Sequence, residues 1–379
     1  MWKTVKLGDV VSYEKVNGQG SNRPYVGMEH ISSETMELVG SLEIPEKTSS
    51  TFKFDERHVL FGRLRPYLRK VFVPDFDGQC STEIFCLLPS DKVDKRFLAH
   101  WLLHPKVSTR INETSTGARM PRANMNAILD FDFPLPPLAE QQRIVAKLDA
   151  AFAEIDRAVE LTGERLLSEQ HLFMKSLDSL VNADELGENI LLEEVCELSQ
   201  GLAINKGTKH LLVDASSKPL IRIKDLVNGT AEQYITDDYE NPKTEICETD
   251  LVFTRTGSLG LVFRGRSGVL HNNSFKVTPT KQLSKDYLYW WLKNPSFLSD
   301  IHRIAGKAAQ PDISHKLFKA QQIKIPSADK QREIVTMVES LHEQIEELES
   351  FNKCKLSQLN NLKSAILAQE LQPPQSEAA

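Results

Sequence analysis

The chain has 379 residues, 40% hydrophobic and 26% charged, which leaves room for two or three domains and excludes a disordered or fibrous polymer. No apolar run is long enough to span a bilayer, and Met1-Trp-Lys-Thr-Val-Lys-Leu-Gly-Asp-Val10 lacks the apolar core of a signal peptide, so a cytoplasmic location is expected. The net charge of −6 is unevenly spread: residues 1–140 carry 18 cations and 18 anions, 188–325 carry 18 and 16, and 141–187 and 326–379 each carry 5 and 9, so global acidity does not exclude a polyanionic partner.

Along the chain, the first block carries short β-type runs at Val59–Phe61, Lys70–Val73 and Ile84–Leu88, then a helix around Trp101. Pro134-Leu-Pro-Pro-Leu138 precedes a long helix. Its apolar residues fall at Val145, Leu148, Phe152, Ile155, Val159, Leu166, Phe173, Leu177 and Leu180, the narrow seam of a coiled coil. Thr162 and Glu169 interrupt that seam with polar groups, and Gly187 is expected to close the helix. A second block follows, with runs at Leu251–Phe253, Gly260–Phe263 and Ser274–Val277 and a helix around Trp290 and Trp291. Ile325-Pro326-Ser327 then opens a second long helix, with Ser327 at the N-cap position. The acids Glu140 and Asp329 in the first turns suit the positive helix ends. This seam runs through Ile334, Val338, Leu341, Ile345 and Leu348, slips phase near Asn352-Lys353-Cys354, and resumes at Leu356, Leu359, Leu362 and Ile366 until Pro373-Pro374.

The second half repeats the first at a constant interval of 190 residues. Phe97, Trp101, Pro105, Pro121, Pro136, Gln141, Ile144, Ile155 and Leu172 return as Tyr287, Trp291, Pro295, Pro311, Pro326, Gln331, Ile334, Ile345 and Leu362. A two-copy repeat implies two similar half-molecules with two similar sites, a design for recognition more than for one catalytic cleft. The expected fold is α+β: two similar domains, and two long helices that bury their seams on each other as an antiparallel coiled coil, in a pseudo-twofold repeat. The boundaries are 1–137, a helix over 138–187, 188–326, a helix over 327–372, and a tail at 373–379. Similarity is low across 11–58 and 196–250, so the domains share a scaffold but differ in what they present.

No chemistry-bearing motif competes with this reading. Gly306-Lys307 lacks the first glycine and the hydroxyl of a phosphate loop, Asn241-Pro242-Lys243 is a turn, and the ten histidines form no metal-binding pair. The cysteines Cys80, Cys86, Cys196, Cys247 and Cys354 show no C-x-x-C spacing, so neither zinc nor disulfides are expected, only buried free thiols. Trp101, Trp290 and Trp291 sit on Leu- and Tyr-rich helices and are expected in the cores.

The run Pro-Leu-Pro-Pro-Leu-Ala-Glu-Gln-Gln-Arg-Ile-Val over 134–145, its echo over 325–335 and the opening Trp2–Val10 resemble the specificity subunits of type I restriction-modification systems. The resemblance covers the whole chain, although the echo has one Pro and Asp-Lys-Gln where the family's usual pattern has Pro-Pro-x-x-Glu-Gln. It implies a non-catalytic subunit in which two target-recognition domains each read half of a bipartite double-stranded DNA target. The helices would fix the spacer and dock two methyltransferase subunits, and two ATP-driven restriction subunits can join. S-adenosylmethionine, ATP and magnesium would belong to those partners, with no cofactor in this chain. A related type IIB or methylation-only system is the alternative, and a coiled-coil adaptor without DNA binding is a more distant one.

Within that architecture the candidate DNA contacts are Arg63, Arg65, Arg69 and Lys70 in the first block and Arg255, Ser258, Arg264 and Arg266 in the second. Arginine can pair with phosphate or bind guanine through two hydrogen bonds, and glycine and serine permit close backbone approach. A solvated basic face is the competing explanation. Arg119 and Arg122 precede the first helix in a loop that aligns with Lys307 and Gln310. Asn272 and Asn273 can read adenine through an amide or form a polar turn.

Overall fold

The structure is a computed structural model that describes residues 2–18, 22–43, 50–117, 119–280, 282–306 and 311–372. The chain divides into two compact units: Met1–Thr162 with Lys353–Ala379, and Gly163–Asn352.

In the first unit, strand Lys3–Lys6 pairs antiparallel with Asp132–Leu135, which brings the start of the chain beside the start of the first long helix. The central sheet is antiparallel in the order Val11–Glu14, Ile84–Pro89, Val59–Gly62, Val71–Phe72. Helix Lys95–Leu103 covers it. Asp94 caps that helix, its carboxylate accepting from the amides of Arg96 and Phe97 at 2.9 and 3.0 Å. Phe61, Phe85, Phe97, Trp101 and Phe133 form the core, and Ile144, Leu148, Leu367 and Leu371 of the long helices close it. A second sheet of three strands holds Tyr25–Val26, Gly78–Ser81 and Thr51–Phe54.

The second unit repeats this frame. Asn189–Leu191 pairs with Gln322–Lys324, and the central sheet runs Cys196–Gln200, Ser274–Pro279, Leu251–Thr254, Val262–Phe263. Trp290 and Trp291 are buried here, as Trp101 is in the first unit. The core again reaches both long helices, at Leu177 and Val181 and at Ile334 and Val338. The second sheet differs: five strands, with a helix Ile223–Asn228. That divergence falls largely in the stretches where sequence similarity is low.

The long helices span Leu138–Asn182 and Ala328–Glu370. The first ends five residues before Gly187, because Ala183 leaves helical geometry and Asp184–Leu186 forms a separate 3-10 turn that Gly187 (φ +102°) closes. Pro373 and Pro374 lie outside the described residues. In the first unit the helices run antiparallel, with Lys147 bonded to Glu370 at 2.7 Å and Lys363 paired with Asp156. In the second they are antiparallel again, with Gln170 donating to Glu349 at 2.8 Å and Asn352 to Glu169 at 3.2 Å. The burial pattern of residues 171–181 recurs position by position over 361–371. Thr162 and Asn352, equivalent in the repeat, are both buried seam residues at 2% exposure. Leu362, expected on the seam, is 46% exposed; Ile366 and Leu367 are the residues that face the core here.

Each helix is fixed to its domain by one buried glutamine. Gln141 accepts from the Asp94 amide at 2.8 Å and donates to the carbonyls of Lys92 and Pro136, both at 2.9 Å. Gln331 accepts from Ser284 at 2.8 Å and donates to Gln282 and Pro326, again both at 2.9 Å.

Three cysteines, Cys80, Cys86 and Cys196, are buried free thiols, whereas Cys247 and Cys354 are exposed, on a turn and on the outer face of the second helix.

Candidate nucleic-acid interface

In each unit the loop after the central strand is tied to the loop ahead of the long helix. In the first, Arg63 donates its amide to Glu83 at 2.8 Å and accepts from Ala123 at 3.0 Å, and Leu64 bridges Arg122. In the second, Arg255 donates to Asn273 at 2.9 Å and accepts from Ile313 at 3.1 Å, and Thr256 bridges Asp312. Glu83 and Asn273, Arg122 and Asp312, and Ala123 and Ile313 are each separated by the repeat interval, so the backbone frame is built twice.

The side chains on that frame differ. Arg122 is ion-paired to Glu83 through two nitrogens, Nε at 3.0 Å and Nη2 at 2.8 Å. At the equivalent place Asp312 accepts from Arg255, Nε at 2.8 Å and Nη2 at 2.6 Å, while Nη1 of Arg255 reaches Gln200 at 3.2 Å. The loop ahead of the long helix thus carries a cation in the first unit and an anion in the second, each paired with a different element of its own unit. Arg63, where the second unit has Arg255, instead lies 5.8 Å over the Phe85 ring with its buried Nε unpartnered among the described residues. It lines an open polar cleft of about 330 Å³ with Tyr13, Lys15, Arg122, Asn124 and Asn126. Burial pushes the Tyr13 hydroxyl above its usual range, so it remains a neutral donor. In the second unit burial, with the nearby Arg255 and Lys319, lowers His315 below the usual imidazole range, which leaves it neutral against the Phe275 ring.

The loop from Arg63 to Lys70 is held under strain. Arg65 (φ +50°) and Arg69 (φ +47°) adopt left-handed conformations on either side of the Pro66–Leu68 turn, each costing on the order of 1 kcal/mol for a residue with a Cβ. The counterpart in the second unit is the turn Gly257-Ser258-Leu259-Gly260, where the left-handed positions are glycines.

The sequence candidates therefore fall into distinct settings. Arg65, Arg119 and Ser258 are exposed on the loops, and Arg63, Arg122 and Arg255 sit at their base. Asn272 and Asn273 form the turn beside Arg255, with the Asn272 carbonyl accepting from Gln200 at 2.5 Å. Arg69 is ion-paired with Glu34, and Lys70 donates to the Met28 carbonyl at 2.6 Å. Arg264 points to the helices, bonded to Asp286 at 2.7 Å and Glu339 at 3.3 Å and lying over Tyr289. Arg266 is held by the Thr230 carbonyl at 2.6 Å. Lys307 and Gln310 lie outside the described residues. Sequence reasoning passed over Lys15, Gln200, Asn124, Asn126, Glu83 and Asp312, which only the strand pairing brings to these loops; Asn124-Met-Asn126 just after the Pro121 loop was the available signal.

Among the described residues no helix is long and apolar enough to cross a membrane. The family described as the type I restriction modification DNA specificity domain matches residues 1–162 and 184–355. The chain is 25% identical over 344 residues to the EcoBI type I restriction enzyme specificity subunit of Escherichia coli, covering 77% of this chain and 71% of that one. With the EcoKI specificity subunit of Escherichia coli strain K12 it shares 27% over 318 residues, covering 76% and 68%. A match to the EcoDI specificity subunit, 29% over 153 residues, spans 34% of that protein's length and 40% of this chain. Among solved structures, a chain from work on assembly and conformational transition of the type I R-M system aligns with a TM-score of 0.81 at 21% identity, covering 98% of this chain and 97% of the other. The HsdS subunit from Thermoanaerobacter tengcongensis aligns at 0.59 and 21%, covering 98% and 96%. At such identities these likenesses speak for the fold. The duplicated frame and the two matched segments together place the chain in the type I restriction modification DNA specificity family, with two copies of its DNA-specificity domain.

Proposed function

We propose that the chain is the specificity subunit of a type I restriction-modification complex that acts in the cytoplasm, and that each unit reads one half of a bipartite duplex target. The observation that carries this is one backbone frame built twice with different side chains at equivalent places: Arg122 against Asp312, Glu83 against Asn273. A repeated scaffold with divergent polar tips is what two independent half-site readings require, since base edges are told apart by the placing of donors and acceptors. Arg63, Arg65, Arg119 and Arg122 in the first unit, and Arg255, Ser258, Asn272 and Asn273 in the second, are the assigned contacts, with Lys307 and Gln310 assigned from sequence alone. Arg69, Lys70, Arg264 and Arg266, like the ion-paired Arg122 and Arg255, come to DNA only by exchanging a protein partner.

The helices fix the spacer and dock two methyltransferase subunits. Exposed apolar residues recur on them at the repeat interval, Leu161 with Phe351 and Leu172 with Leu362, which supports two equivalent docking places. Catalysis, S-adenosylmethionine, ATP and magnesium belong to the methyltransferase and restriction subunits. The test is a mobility shift of the chain with co-expressed methyltransferase subunits on a library of duplexes. Sequence-dependent retention and methylation of one bipartite motif are expected, with no methylation by the chain alone. Retention without sequence preference, or methyl transfer by the isolated chain, would contradict the proposal.

A further inference from the structure

The first unit carries an exposed apolar tip that the shared frame does not require. Tyr67 is 51% exposed in the Pro66–Leu68 turn, and Met120 is 45% exposed on the adjoining loop. The two loops are joined by the Arg65 amide, which donates to the Pro121 carbonyl at 2.8 Å. The turn is braced from below by helix Pro105–Glu113 and from the side by the Arg69–Glu34 pair. Arg65 precedes the Pro66–Leu68 turn and Arg119 precedes Met120, both exposed and without an ion-pair partner among the described residues. Left-handed backbone at two residues that carry side chains shows that the surroundings impose this shape on the loop. In the second unit the left-handed positions of the equivalent turn are glycines and Leu259 is buried, with Leu261 beside it 37% exposed; the counterpart of Met120 lies outside the described residues.

We propose that Tyr67, with Met120 on the adjoining loop, is a wedge that enters a base step of duplex DNA in the half-site read by the first unit, while Arg65 and Arg119 hold flanking phosphates. The proposal rests on the DNA-reading function above. Large apolar side chains on a braced loop unstack a step and kink the duplex when cations on either side anchor the backbone. A tyrosine ring brings apolar area with little side-chain freedom to lose. The turn Gly257–Gly260 of the second unit carries no aromatic side chain, so the proposal places the deformation in the first half-site.

A wedge works against stacking, so weakening the stack at its step must tighten binding. The experiment measures affinity of the assembled chain with its methyltransferase subunits for the mapped target duplex, with a single mismatch walked through each half-site. Apart from the gain expected at the methylated base of each half-site, which the methyltransferase itself extrudes, the wild-type assembly gains about tenfold at one further step of the first half-site and at no further step of the second. Tyr67→Ala and Met120→Ala lose that gain and keep the salt dependence of binding; Tyr67→Phe keeps the gain; Arg65→Ala lowers the salt slope by about one. That further gain persisting in Tyr67→Ala, or its absence from a wild-type assembly that still selects its target, overturns the wedge and leaves the DNA reading standing. Absence of target selection by the wild type overturns both. Circular dichroism and co-purification with the methyltransferase establish that each variant is folded.

Discussion

Replacing Gln141 by alanine removes, in one step, the joint between the first domain and its helix. The side chain is fully buried and makes three hydrogen bonds of 2.8–2.9 Å, one accepted from Asp94 and two donated to Lys92 and Pro136. Each such bond contributes about 1 kcal/mol net, and each buried partner left stranded costs about 1–3 kcal/mol, so the loss is about 3–5 kcal/mol once partial relaxation is allowed. Gln331→Ala strands the amide of Ser284 and the carbonyls of Gln282 and Pro326 and should cost the same within about 1 kcal/mol. Gln141→Glu should be no milder, because a carboxylate cannot donate to the two carbonyls. Urea unfolding followed by hydrogen exchange separates the two units. Gln141→Ala accelerates exchange around Asp94, and Gln331→Ala around Ser284, each without affecting the other. A loss below about 0.5 kcal/mol in either variant would refute the claim that these glutamines hold the helices.

Native protein should alkylate at Cys247 and Cys354 only, with Cys80, Cys86 and Cys196 reacting after denaturation; burial holds the Cys196 thiol up at about 12. Mass spectrometry of the labelled peptides checks this, and early labelling of Cys196 would contradict the core assignment. Arg119→Ala and Lys307→Ala should weaken DNA binding and leave methyltransferase assembly intact. A lost phosphate contact lowers the salt slope by about one, and a lost two-bond base contact costs about 1–3 kcal/mol and relaxes one target position. Unchanged affinity and target choice would show that these loops face away from DNA. Deleting one turn from each helix, Glu164–Leu167 and Lys355–Gln358, removes about 5.4 Å of rise and should shorten the spacer by about one or two base pairs at 3.4 Å each. A stable, active complex with an unchanged spacer would mean that the helices do not set the distance.

The repeat was legible because both copies bury their seams in the same positions, so Ile144 and Ile334 or Gln141 and Gln331 had to match. The central strands were legible too: Val59–Phe61 and Leu251–Phe253 are apolar on both faces because helices and sheets enclose them. What lay beyond the sequence was set by pairing across long separations. Nothing local tells that Glu83 neutralises Arg122, or that Asp312 does the same for Arg255, and a run of cations such as Arg63–Lys70 looks uniform until Arg69 and Lys70 find partners in residues 28–34. Glycine commonly ends helices, so the sequence points to Gly187 as the helix end, yet a 3-10 turn intervenes. Spacing alone puts Leu362 on the seam, whereas the second helix turns Leu367 inward at the domain core.

The central claim is that two units read two half-sites independently. The most direct measurement exchanges residues 1–135 for the corresponding domain of a relative with a known target and maps methylated motifs across the genome of cells expressing the chimera with its methyltransferase. The account predicts that one half of the motif changes to the donor's half-site while the other half and the spacer stay as they were. A change in both halves together, or no change in either, would contradict it.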